Sequence, residues 1–238
     1  MAEVGETDEV AEIDGQAAAT SAGLITDWVY GWAVSREAGR PVEVRGGYRI
    51  EIGRPGHVRR YVLSGLDRDV IGDLVRRIDT PGVWIKAYGA EAEFRALLSP
   101  AWELAGSGHM MTTLLQRASV RVPDGYSVDM RVKPNRIVVQ VLTGAGEVAA
   151  FGQTGLAGSI AVIDHIGTEE AHRRRGLGRV VMGSLANAAL DQGARKGVLV
   201  GTEEGKALYL MLGWTLHGFV AGAWIPLPAQ AEDEAATG

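Results

Sequence analysis

Four arginines and two glycines share the seven residues Arg173-Arg174-Arg175-Gly176-Leu177-Gly178-Arg179. The run follows an extended, mostly apolar stretch, Ile160 to Thr168, and leads into a helical pattern over Val180 to Leu190. A strand therefore delivers the chain to a basic turn that opens directly into a helix. The first N–H groups of a helix have no partner within it and carry the positive end of its dipole, so this start is an anion site before any side chain is counted. Gly176 and Gly178 let the backbone close on a ligand, and the guanidinium groups add charge-assisted hydrogen bonds. Chemically, such a turn is a pyrophosphate cradle.

Spacing weighs against other uses of the turn. A G-x-G-x-x-G dinucleotide fingerprint needs Gly or Ala at 181, where the chain has Val181, and no Lys-Ser or Lys-Thr pair marks a nucleoside triphosphate loop. A nucleic-acid patch would interleave aromatics and would not directly follow Glu169-Glu170. An exposed basic turn with no ligand is the bland alternative. The 5 histidines are scattered without ligand spacing, so no metal is expected. With no Cys in the chain, a disulfide framework, a thiolate site and a covalent thioester on the protein are all excluded.

The elements that must position the turn can be read from periodicity. Leu24, Trp28 and Trp32 recur at i+4 and predict a helix over about 22–36. Segments 48–52 and 58–63 flank Gly53-Arg54-Pro55-Gly56 as a hairpin, followed by a helix over 67–78, a strand at 83–87, a helix over 90–98 and an extended stretch within 102–115. The pattern restarts at Tyr126 with extended runs at 126–132, 136–142, 147–153 and 158–166 and a helix over 176–192. A strand at 197–201, a helix at 203–212 and an extended pair over 214–226 follow. A weak echo aligns Gly82-Val83-Trp84 through Phe94 with Gly197-Val198-Leu199 through Tyr209, so a repeat of one unit and a coincidence both stay open.

The 238 residues carry a net charge of -5, yet the acids are concentrated at the ends. Residues 1–20 hold Glu3, Glu6, Asp8, Glu9, Glu12 and Asp14 without a base, and Glu232, Asp233 and Glu234 lie in the last ten. The body between is mildly basic, which suits an anionic ligand and falls short of a nucleic-acid binder. Residues 1–20 and 229–238 are expected to be disordered tails, with an N-terminal domain over 21–118 and a second over 119–228. No apolar run reaches bilayer length, and the acidic N-terminus does not read as a signal peptide, so no membrane contact and a cytoplasmic protein are expected.

The spacing Arg173-x-x-Gly176-x-Gly178 after a strand resembles the Q/R-x-x-G-x-G/A signature of the GNAT superfamily of N-acetyltransferases. Downstream, Gly205-Lys206-Ala207-Leu208-Tyr209-Leu210-Met211-Leu212-Gly213-Trp214 is similar to that superfamily's A-x-x-L-Y-x-x-x-G-F/W segment. The resemblance covers about residues 120–226. It departs at Gly205, where many members have Ala, and at Thr202, where many have an Asn that contacts the coenzyme. It implies an α/β (α+β) fold, a mixed and mostly antiparallel sheet flanked by helices. The N-terminal half would be a degenerate GNAT-like unit in tandem with an intact one. The first half lacks the Arg-Gly turn and has Phe94 where the echo places Tyr209.

The resemblance further implies acetyl-coenzyme A as cosubstrate and direct transfer to an amine, a route that needs no cysteine. Pantetheine would pair along Ile166, Gly167 and Thr168. The pyrophosphate would sit on Arg173, Arg174, Arg175, Gly176, Leu177, Gly178 and Arg179, with Thr202 nearby. Tyr209 would be the acid beside the coenzyme sulfur, against the alternative of a packed aromatic. Asp164 is a candidate base, against the alternative of an Asp paired with an Arg. Strict alternation would put Val162, Asp164 and Ile166 on one face and His165 on the other. The acceptor would be a small-molecule or peptide amine, the protein a monomer or homodimer. Trp28, Trp32, Trp84 and Trp102 are candidates for the acceptor pocket or for the core. A non-catalytic acyl-coenzyme A sensor is the rival reading.

Overall fold

The computed structural model describes the backbone of residues 6–228 and the side chains from Ser21 onward. The i+4 apolar pattern forms α1, Glu6–Ser35. This helix begins well before residue 22, so residues 6–20, expected to be disordered, continue it; Ala17-Ala18-Ala19 are strong helix formers. Residues 1–5 and the tail at 229–238 lie outside the described residues. Two compact units form, one from residues up to Thr26, Val42–Ser107 and Val220 onward, the other from Asp27–Pro41 and Gly108–Phe219. The boundary expected at 118/119 falls inside the second unit, because Gly108–Leu114 pairs antiparallel along Lys196–Gly201.

In the first unit the sheet runs β1 (Val42–Val44), β2 (Gly47–Arg54), β3 (His57–Leu63), β4 (Val83–Tyr88) and the end of β12 (Thr215–Trp224), with the short β5 (Glu103–Leu104) also on β12. Helix α2, Arg68–Arg77, connects the parallel pair β3 and β4. Asp67 caps it by accepting from the N–H groups of Asp69 and Val70 at 2.9 and 3.1 Å. Val70, Ile71, Leu74, Ile85 and Trp102 form the core, together with Phe94 from α3 (Glu91–Arg95). Pairing of β3 with β4 continues to Leu63 opposite Ala87, so these strands stay closed.

The second unit contains an antiparallel meander of β7 (Tyr126–Lys133), β8 (Arg136–Thr143), β9 (Val148–Ala157) and β10 (Ile160–Thr168). Helix α4 (Leu177–Asp191) then returns the chain to β11 (Lys196–Gly201), parallel to β10. Strand β6 (Gly108–Leu114), helix α5 (Glu203–Met211) and the start of β12 complete the order β12-β6-β11-β10-β9-β8-β7. Ile137, Val139, Ile163 and Leu199 of the sheet form a core with Val181 and Leu185 of α4. The end of α1 lies against the sheet because Gly31 and Gly155 face each other. A Cβ on Gly31 would strike Val162 and come within 2.9 Å of the Gly155 carbonyl oxygen, and one on Gly155 would strike the Gly31 carbonyl. Among the described residues no helix is long and apolar enough to cross a membrane.

Candidate active site

Strands β10 and β11 pair only at Ile160, Ala161 and Val162 with Lys196, Gly197 and Val198. Beyond them β10 runs on to Thr168 and β11 to Gly201 without further pairing, so the two strands splay. The inward N–H and C=O groups of β10 then have no ladder partner on β11, and an extended amide chain could bond them. The splay coincides with a register shift on β9 between Asp164 and Gly167, where His165 has φ 55°. This bulge overturns the strict alternation expected of the strand. Asp164 turns to Ser35 and Arg36, whereas Ile166 packs beside Val181 and Leu185 over Gly152. His165 is exposed, its ring 5.0 Å from that of Phe151.

Helix α4 starts with Gly176 at φ 80° and has neither a side-chain cap nor an acid in its first turn. Its leading N–H groups are therefore open to an anion. A Cβ on Gly176 would meet nothing within 4 Å, so the space above the helix start is clear. A cavity of about 430 Å³ lies there, lined by Arg121, Pro123, Asp124, Arg175, Gly176 and Arg179 among others. Arg173 donates to the Thr168 carbonyl at 3.4 Å, Arg175 to that of Ala171 at 3.3 Å, and Arg179 reaches Met211 Sδ at 3.2 Å. Arg174 is exposed with φ 63°. Leu177 is buried beneath the turn, and Gly178 leaves room for Leu208, which a Cβ there would approach to 3.0 Å.

Arg121 was not legible from the Arg-Gly run. Its loop is held on α4 by Asn187, whose Oδ1 accepts from Ala118 N–H at 2.8 Å and whose Nδ2 donates to Ala118 O at 2.9 Å. Gly183 clears the path, since a Cβ there would come within 2.9 Å of Val120. Tyr126 and His172 bond at 2.9 Å, tying β7 to the short 3-10 turn Glu170–His172 before the cradle.

Tyr209 lies on α5 over the end of β11, where a Cβ on Gly201 would be 2.5 Å from its ring and one on Gly205 3.2 Å from its hydroxyl. The ring is buried, and burial, with the charge of Asp164 second, pushes the phenol pKa up to about 12. Gly205 is thus fitted to the tyrosine. Thr202 caps α5 by accepting from Gly205 N–H at 3.2 Å, so its hydroxyl has a structural task. Asp164 is an ion-paired carboxylate. Its Oδ1 accepts from Arg36 Nη2 at 3.0 Å, and its Oδ2 accepts from Ser35 Oγ at 3.2 Å and from Arg36 Nε. Trp28, Trp32 and Trp102 are buried core residues. Trp84 is half-buried, stacked on Trp224 at 5.2 Å. Among the described residues no cluster of three His, Cys, Asp or Glu side chains could hold a metal.

The model of the acetyltransferase (GNAT) family matches residues 93–214. No curated protein is significantly similar in sequence. Among solved structures, a GCN5-related N-acetyltransferase from Kribbella flavida superposes with TM-score 0.60 at 14% identity, covering 91% of this chain and 98% of its own. A GCN5-related N-acetyltransferase from Sphaerobacter thermophilus gives TM-score 0.51 at 10% identity, over 75% of this chain and 76% of its own. At these identities the likeness is one of fold.

Proposed function

The chain belongs to the GNAT family of acetyltransferases, and from that premise we propose that its second unit transfers an acetyl group from acetyl-coenzyme A directly to a primary amine of a small molecule or peptide. The observation that carries this reading is the conjunction, in one unit, of the β10/β11 splay, the uncapped arginine-flanked start of α4 and Tyr209 at the open end of β11. The first unit has a matching parallel pair around a helix. Its strands do not part, however, and Phe94 fills its core, so one site is proposed and not two. We place the activity in the cytoplasm, in a monomer or homodimer.

The residues present fit the coenzyme. Free amides of β10 would take the pantetheine amides. The backbone from Arg174 to Arg179, with the Arg121, Arg175 and Arg179 side chains, would take the phosphates. When bound, the thioester supplies an activated acetyl group. Tyr209, with its pKa pushed up to about 12, keeps its proton across the physiological range and offers it as a hydrogen bond. Full transfer to a thiolate with an ordinary pKa near 8.5 would be uphill by about 5 kcal/mol. The hydroxyl therefore acts by donating to the developing charge on sulfur. Asp164 orients Arg36 and Ser35, its lone pairs engaged by their donors. A panel of amines with acetyl-coenzyme A, read by release of free thiol, tests the proposal. Turnover above background supports an enzyme, whereas tight coenzyme binding with no turnover on any amine supports a sensor.

A further inference from the structure

Direct transfer needs a group to take a proton from the acceptor ammonium, and Asp164 is held by Arg36 and Ser35. Another candidate stands at the open end of β11. Gly201, the last residue of that strand, pairs with His109 of β6 across an antiparallel ladder. Residues opposite each other in such a pair point to the same face. A Cβ on Gly201 would point into the Tyr209 ring, so His109 is on the face that carries Tyr209, one strand away.

His109 is oriented from α5, the helix that also carries Tyr209. Its Nε2 lies 2.5 Å from Glu203 Oε2, and Glu203 Oε1 accepts from Lys206 Nζ at 2.9 Å. A carboxylate only accepts, so the neutral imidazole donates from Nε2 and keeps its lone pair on Nδ1. The Phe219 ring of β12 stands edge-on at 5.1 Å and fixes the imidazole plane. The side chain is 14% exposed, sheltered yet reachable. The charged groups facing it are Glu203 directly and Lys206 through it, both on α5; β11 offers only Gly201 and β12 the uncharged Phe219.

We propose that His109, oriented by Glu203, is the general base for the acceptor amine. The inference rests on the acetyl-transfer reading above. The ammonium gives one proton to His109 Nδ1. The freed lone pair forms the C–N bond to the acetyl carbonyl while the C–S pair leaves with sulfur. The second nitrogen proton ends on that sulfur, whose charge the Tyr209 hydroxyl meets in the interval. Glu203 is a positioning residue. It holds the tautomer and stabilises the imidazolium.

The test compares wild type with His109→Gln and Glu203→Gln, using two probe acceptors. One is a simple aliphatic amine, protonated at neutral pH, chosen from those the wild type turns over; the other is hydroxylamine, already unprotonated there. His109→Gln should lose roughly 10²-fold or more in kcat with the aliphatic amine, the span for a missing base. It should stay within a few-fold of wild type with hydroxylamine, with unchanged coenzyme A affinity and melting curve. Glu203→Gln should lose kcat several-fold with the aliphatic amine and stay near wild type with hydroxylamine, because an amide no longer fixes which ring nitrogen keeps its lone pair. Equal losses with both acceptors, or lost coenzyme affinity, would overturn the role of base, as would an active His109→Gln. A wild type that binds coenzyme A and acetylates no amine would overturn the acetyl-transfer reading and this assignment with it.

Discussion

Arg36, at the end of α1, grips both carboxylate oxygens of Asp164, a residue 128 positions away, with Nη2 to Oδ1 at 3.0 Å and Nε to Oδ2. The two glycines that let α1 touch the sheet, Gly31 and Gly155, bring this pair within reach. The side chain of Asp164 is 14% exposed and that of Arg36 32%, so the pair is partly sheltered from water.

Arg36→Ala leaves Asp164 with the Ser35 hydroxyl as a donor and should destabilise the protein by about 1–3 kcal/mol, less than a fully buried pair would cost. The double variant Arg36→Ala with Asp164→Asn should recover part of that loss, since the stranded charge is gone. Denaturant titrations of Arg36→Ala, Asp164→Asn and the double variant measure it. Strictly additive losses would mean that the pair does not couple.

At the cradle, Gly176→Asp should abolish measurable coenzyme A binding, because it sets a like charge where the phosphates would rest. A Cβ there meets no neighbouring side chain within 4 Å, so a clash would not explain such a loss, and Gly176→Ala controls for the strain of a side chain at φ 80°. Gly176→Ala should keep most of the binding while costing about 1–2 kcal/mol of stability for the left-handed backbone. Arg121→Ala and Arg175→Ala should each weaken binding by about 1.5–3 kcal/mol if their contacts to phosphate are direct. Calorimetric titration separates the four.

In the first unit, burial, and secondarily the Arg60 charge, lowers the Lys86 pKa to about 7, and its ammonium group donates to the Gly106 carbonyl. In the unfolded chain this lysine titrates near 10.5, so between pH 7 and 10.5 the unfolded state holds more protons and stability rises with pH. Lys86→Met should therefore stabilise the protein most at and below pH 7, by up to about 5 kcal/mol less the lost hydrogen bond. The gain should vanish near pH 10.5. Melting temperatures of both forms from pH 6 to 10.5 read it; a gain independent of pH would point to packing alone.

The Arg-Gly turn, the helix after it and Tyr209 were legible because each is local: glycine conformation, helix ends and a motif within ten residues of itself. The extended runs that become β7 to β10 were legible for the same reason. Arg36 with Asp164 and His109 with Glu203 were not legible. Each pair joins distant segments through contacts that leave no local period. The bulge at His165 defeated the alternation rule, because an inserted residue changes which face Ile166 takes and nothing in Asp164-His165-Ile166 announces it. The domain boundary was misplaced for a topological reason: β6 precedes the meander in sequence yet is seated on β11, at its far end.

Tyr209→Phe separates catalysis from binding. The ring and its contacts with Gly201 and Gly205 remain, so coenzyme affinity and neutral-pH stability should hardly change. If the hydroxyl donates to the departing sulfur, kcat at saturating acetyl-coenzyme A should fall by about 10²-fold, the low end for a positioned donor because a thiolate leaves readily. The wild-type profile should show no basic limb from this phenol below pH 10, since its pKa is pushed up to about 12. Stability carries a matching signature. The unfolded tyrosine ionises near 10 and the folded one near 12, so the contribution of the buried phenol is whole below pH 10 and fades as pH rises to 12. The difference is on the order of 2–3 kcal/mol. Tyr209→Phe should lack that alkaline loss. Urea midpoints at pH 8, 10 and 11.5 for both forms, beside kcat, give the two readings. A variant with wild-type kcat but a flattened alkaline profile would make Tyr209 a core residue only.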